Sequence, residues 1–143
     1  MGFDIDGQYS ALPPPLFIAI QMGHIDVTRL LIHYGCNLEN RYVNKTPTEV
    51  AFSLGDFDIL KILLLCGAKT PMGIWRMFTV RQNAGTQPEG SLWLKDWLQQ
   101  PPSLKCCCRN TLRRSYGKRL LMIIETIEYP RYLKDYITAK VLI

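Results

Sequence analysis

Pro15-Leu16-Phe17-Ile18-Ala19 and Pro47-Thr48-Glu49-Val50-Ala51 open two segments that overlay position for position. Pro15 and Pro47, Ala19 and Ala51, Gly23 and Gly55, Asp26 and Asp58, Leu31 and Leu63, and Gly35 and Gly67 are each 32 residues apart. Self-similarity at one such period marks a stacked supersecondary unit rather than two unrelated helices. Each unit reads as helix, glycine turn, apolar helix, glycine stop. Pro47 suits the first turn of a helix, where its missing N–H costs nothing, and Thr46 can cap the exposed donors. Ala19 and Ala51 are small where the inner helix lies close against its outer partner. Gly35 and Gly67 stop the outer helix in the left-handed conformation, and Gly23 and Gly55 permit the turn between helices. Leu30-Leu31 and Ile62-Leu63-Leu64 are expected to fill the space between stacked units.

The unit resembles the ankyrin repeat, whose Thr-Pro-Leu-His-x-Ala signature is recognisable in Thr46-Pro47-Thr48-Glu49-Val50-Ala51. It departs from that pattern in two ways. The period of 32 is shorter than the usual value of about 33. Asn37 to Lys45 lacks the finger's customary glycine, leaving Asn44 as the residue that tolerates positive φ, so a shortened β-hairpin finger is expected. The resemblance implies that target specificity resides in exposed finger and inner-helix side chains, here Arg41, Tyr42, Asn44 and Lys45. Two units are few for such an array, and residues 1–12 supply no clear preceding repeat. Either the chain is a short form of a longer array, or the pair borrows stability from the segments after Gly67.

Those segments read as helical. Ile74-Trp75-Arg76-Met77-Phe78 is expected to be the remnant of a third helix pair acting as a cap, and Arg81 to Gly90, with Gly85, Pro88 and Gly90, a loop. Ser91 to Leu98 reads as a short helix carrying Trp93 and Trp97 one turn apart. These rings are expected to pack between the repeat stack and the C-terminal region.

Ser103-Leu104-Lys105-Cys106-Cys107-Cys108-Arg109-Asn110-Thr111-Leu112 begins the last segment. Leu104, Cys108 and Leu112 are four apart and form one narrow apolar seam on a helix, while Lys105, Arg109 and Arg113 are expected to keep the neighbouring face wet. A second helix pattern, Leu120 to Ile124, leads into Tyr129-Pro130-Arg131-Tyr132-Leu133-Lys134-Asp135-Tyr136-Ile137. The first run resembles the elongin-binding BC box of a SOCS box, and the last resembles its cullin-facing element. In order, the segments resemble the ankyrin-repeat and SOCS-box family over roughly residues 13–143.

That resemblance implies an all-α chain: an N-terminal tail (1–12), two ankyrin repeats (13–70), a capping and bridging segment (71–100) and a three-helix SOCS box (101–143). It further implies a substrate receptor of a cullin-RING ubiquitin ligase, with elongin B, elongin C and cullin 5 as partners and an unidentified protein as target. Leu104 would enter an apolar pocket of elongin C, with Cys108 and Leu112 continuing the seam. Ile127, Pro130, Leu133 and Tyr136 would face the cullin. The family's Leu-Pro-hydrophobic-Pro stands here as Ile127-Glu128-Tyr129-Pro130, with glutamate replacing its first proline. Tyr129-Pro130, Leu133 and Ile137 also fit the looser pattern of cullin 2 receptors, which family membership makes the second choice.

Composition narrows the alternatives. Apolar residues are 48% and charged residues 20% of the 143, which suits a soluble globular protein, cytoplasmic or also nuclear. Met1-Gly2-Phe3-Asp4 does not read as a secretory leader, and apolar runs such as Ile62 to Cys66 are too short to span a bilayer. Residues 1–100 carry a net charge of −1 and residues 101–143 of +6, so the basic excess belongs to the C-terminal segment. A nucleic-acid-binding module using Lys105, Arg109, Arg113, Arg114, Lys118 and Arg119 is one rival reading, although aromatic interleaving is poor. A plain ankyrin scaffold without a ligase role is the other. Five cysteines, three of them consecutive, form neither a closed disulfide framework nor a zinc-ligand spacing. His24 and His33 have no Ser or Cys partner suggested by spacing. With no phosphate loop or catalytic triad either, neither enzyme activity nor a cofactor or metal is expected.

Overall fold

A computed structural model describes residues 5–7, 11–85, 90–128 and 130–138, apart from the side chain of Gln82. Parts of the N-terminal tail and of the Arg81–Gly90 loop, together with Tyr129 and residues 139–143, lie outside the described residues. The chain runs through α1 (Pro15–Gln21), α2 (Ile25–His33), α3 (Pro47–Leu54), α4 (Phe57–Leu65), α5 (Met72–Asn83) and α6 (Leu92–Gln99). It continues through α7 (Leu104–Tyr116), a 3-10 turn (Gly117–Arg119), α8 (Leu120–Thr126) and α9 (Arg131–Ile137).

The repeat pattern becomes two helical layers. α1, α3 and α5 neighbour one another in an inner row, while α2 and α4 pair in an outer row and each backs onto its own inner partner. Thr46 heads α3 with a full capping box. Its hydroxyl accepts the Glu49 N–H, and the Glu49 carboxylate accepts the Thr46 N–H at 2.8 Å. Two otherwise orphaned donors are thereby satisfied. α4 begins at Asp56, whose carboxylate accepts the Ile59 N–H at 3.0 Å. Phe17, Ile20, Ile32, Ile59, Leu60, Leu63 and Leu64 are almost wholly removed from water and form the shared core.

Leu30 departs from expectation, because it is 55% exposed and Leu31 is half-buried. α2 has an outer-row neighbour only on its α4 side among the described residues, so this flank of α2 has nothing to cover it. Ile62, Leu63 and Leu64, in the central outer helix, are buried as expected.

The finger is a two-residue turn. Tyr42 and Lys45 exchange both backbone hydrogen bonds at 3.0 Å, and Val43 and Asn44 take φ of 51° and 59°. Positive φ at both central positions is the mirror-image geometry preferred by tight hairpins. Asn44 is the residue expected to adopt it, whereas Val43 joins it despite its β-branch.

Ile74 and Phe78 of α5 are buried against the core, and Leu94 of α6 is fully buried in the same cluster. Trp93 and Trp97 pack partly buried against it, with the Lys61 ammonium of α4 5.9 Å from the Trp93 ring. α5 and α6 therefore cap the stack, and α7 carries the chain onward to pack with α8 and α9.

Candidate functional site

α7 has an unusual polarity. Ser103 caps it, its hydroxyl accepting the Cys106 N–H at 3.2 Å. Arg109 and Arg113, one turn apart, are only 3% and 8% exposed. The Arg113 Nη2 donates to the Ile32 carbonyl near the end of α2, and the Arg109 Nη2 donates to the Leu65 carbonyl at the end of α4. The Arg114 Nη2 donates to the Gly67 carbonyl at 3.0 Å. The last carbonyls of a helix lack intrahelical donors and carry partial negative charge, so guanidinium groups are good partners for them. The expectation that Arg109 and Arg113 line a wet face is therefore overturned: helix ends in the repeats supply what water would have supplied. Burial lowers the pKa of Arg113 from its ordinary value, with the adjacent Arg109 charge acting in the same direction and Cys66 and Cys36 opposing it.

The approach is tight. Gly35 stands after α2 with φ +81°, and a Cβ there would stand 2.5 Å from the Gly117 carbonyl oxygen. Gly67 stands after α4 with φ +101°, and a Cβ there would meet the Asn110 side chain at 2.5 Å. Both glycines thus stop a helix and leave room for the C-terminal segment. Cys36 and Cys66 lie buried just beside them, where burial pushes their thiols up to about 12 and about 11.

With the arginines turned inward, the apolar seam turns outward. Leu104 is 80% exposed, Cys108 is exposed and Leu112 is 37% exposed. Ile127, beyond α8, is 39% exposed, Pro130 is exposed, and Leu133 is half-buried in α9. Tyr136 faces α7 instead, its ring centroid 4.3 Å from the Lys105 Nζ and 5.1 Å from the Arg109 Cζ. The elongin set thus shares one ridge, whereas the cullin set is divided between exposed residues and one ring engaged with α7.

In the finger, Arg41, Asn44 and Lys45 are exposed. Tyr42 is half-buried, with its ring 5.7 Å from that of Phe17, and helps to cover the core. The cations considered for nucleic acid do not form one open stripe. Arg109 and Arg113 are buried, and Lys118 forms an ion pair with Asp6 at 3.2 Å.

Sequence reasoning missed Asp6. Its carboxylate accepts the Asn37 N–H at 2.7 Å, its carbonyl accepts from the Asn40 side chain at 3.2 Å, and Ile5 beside it packs against the core. The adjacent Asp6-Gly7 turn pair was the available signal.

The described surface therefore carries an apolar ridge on a helix whose opposite face is held by the repeats. No helix among the described residues is long and apolar enough to cross a membrane. No curated protein matches the chain. The family model for ankyrin repeats (3 copies) matches residues 2–72, which include the whole α1–α4 stack. Residues 2–72 are thus similar to ankyrin repeats, a protein-interaction module, and a further set of helices follows them.

Proposed function

We propose that this chain is the substrate receptor of an elongin B/C–cullin 5 ubiquitin ligase, the ankyrin surface holding the target and the C-terminal helices recruiting the ligase. The observation that carries this reading is the inverted polarity of α7, with Leu104, Cys108 and Leu112 outward and Arg109 and Arg113 inward. An amphipathic helix ordinarily turns its apolar seam toward the core of its own chain; this one sets its charged face against the repeats and leaves its leucines for a partner. A few apolar anchors seated in a groove carry most of the energy of such helix-in-groove docking. The receptor performs no covalent chemistry. It raises the effective concentration of target lysines near a ubiquitin-loaded enzyme.

Cullin engagement rests on less. Ile127 and Pro130 are exposed, but Tyr136 would have to act from the α7 side or leave the Lys105 and Arg109 cations. Cullin 2 is the second candidate.

Co-expression with elongins B and C tests the proposal. A stable ternary species should purify with the wild type and be lost with Leu104→Asp, since losing a central anchor costs roughly 2 kcal/mol or more. Unchanged thermal melting of the variant would show that the fold is intact. A wild-type chain that is folded and soluble but never co-purifies with the elongins would leave a plain ankyrin scaffold as the better description.

A further inference from the structure

On the face of α7 opposite the ridge lies a cavity of about 540 Å³, bounded by the stops after α2 and α4 and by the corner from α7 into α8. Arg113, Arg114, Lys118 and Arg119 line it, facing two acids, Asp6 and Glu39. Both acids are engaged within the chain. Asp6 pairs with Lys118 at 3.2 Å, and Glu39 accepts the Lys69 N–H at 2.7 Å. Arg113 is a buried residue, and its Nη1 is sealed from solvent without a hydrogen-bond partner. Buried guanidinium donors are normally satisfied, and each exception calls for an occupant or a function.

We propose that this cavity binds a small polyanion of the phosphoryl class, with two or more phosphoryl groups, at the junction between the ankyrin repeats and the C-terminal helices. Three properties point to that chemistry. With Lys118 paired to Asp6, the lining still sets three arginines against Glu39, so an anion entering it gains net attraction. Guanidinium groups bind phosphoryl oxygens through paired, charge-assisted bonds, and the exposed guanidinium groups of Arg114 and Arg119 line the cavity. The volume lies within the range of sites for whole small molecules and exceeds what one carboxylate would fill. A bound polyanion would neutralise the inward arginine and tie the α7 corner to the finger side of the stack. The site is separate from the outward ridge, so it stands or falls independently of elongin binding.

Calorimetric titration of the 143-residue chain with inorganic pyrophosphate and tripolyphosphate, at constant ionic strength, tests it. Saturable one-to-one binding is expected, accompanied by a rise in melting temperature. Arg119→Ser, an exposed lining residue whose loss should leave the fold intact, should weaken binding roughly tenfold, as loss of one charge-assisted contact does. Arg131→Ser, in α9 and outside the cavity, should leave it unchanged. Arg113→Gln should abolish binding where melting shows the chain still folded. The proposal is overturned if the wild type shows no saturable binding, if Arg119→Ser and Arg131→Ser weaken it equally, or if a glutamate-rich peptide binds while both phosphates do not.

Discussion

α4 and α7 each carry apolar and charged residues, yet they dispose of them in opposite ways. α4 turns Ile59, Leu60 and Leu63 inward, each 0% exposed, and leaves Lys61 in water. α7 turns Arg109 and Arg113 inward and leaves Leu104 in water. The difference lies in what each helix meets. α4 meets other apolar helix flanks, where area removed from water stabilises the fold. α7 meets the carboxyl ends of two helices, where donors and positive charge are wanted. An amphipathic pattern therefore locates a boundary between two environments without saying which one is the interior of its own chain.

The contrast can be broken most forcefully in α4. Leu63→Ala should cost about 2–5 kcal/mol of stability, the range for truncating a fully buried leucine. Leu104→Ala should cost almost nothing in the isolated chain. Chemical denaturation of both variants measures this, and equal losses would mean that the α7 ridge is core after all.

A second perturbation addresses the seam between the regions, where the Cys36 and Cys66 thiols are pushed up from the ordinary value of 9.0 to about 12 and about 11. Burial is the first cause for both, with the Asp6 charge adding to it at Cys36. A group whose folded pKa is raised stabilises the fold fully below its unfolded pKa and loses that contribution as pH climbs toward the folded value. Stability should therefore fall above pH 9, by roughly 2–3 kcal/mol at pH 10 for the pair together. Denaturation between pH 8 and 10.5 reads this directly. A double Cys36→Ala, Cys66→Ala variant should show a flatter profile, and the same slope in both proteins would assign the loss elsewhere.

The gentlest perturbation is Arg113→Met, which keeps the stem but leaves the Ile32 carbonyl without its guanidinium donor. A loss of about 1 kcal/mol is expected, since the carbonyl keeps the Gly35 N–H at 3.0 Å and loses only its charge-assisted donor, while the desolvated charge is relieved. A gain in stability would show that the cost of burying the guanidinium charge outweighs that bond.

The stack was readable because its determinants are local and repeated. Thr46 and Glu49 satisfy each other across three residues, and Gly35 and Gly67 announce the helix ends by composition alone. The seam of Leu104, Cys108 and Leu112 was also visible in the four-residue spacing. The burial of Arg109 and Arg113 was not. A run of cations at helical spacing ordinarily faces water, and nothing near residue 113 in sequence reveals the carbonyl of Ile32, 81 residues away. Tyr42 shows the same limit: nothing in the finger's own residues reveals that its ring meets Phe17 from the neighbouring unit. Long-range partners, not propensity, decided both cases.

The guanidinium clamp also makes α7 a gauge of repeat number. Arg113 grips the terminus of one outer helix and Arg109 the terminus of the next, so a single rigid rod spans two successive units at their natural spacing. An extra repeat spliced between them would carry one of those termini out of reach and leave a guanidinium stranded. A longer array fits this clamp where the added unit leaves α2 and α4 adjacent.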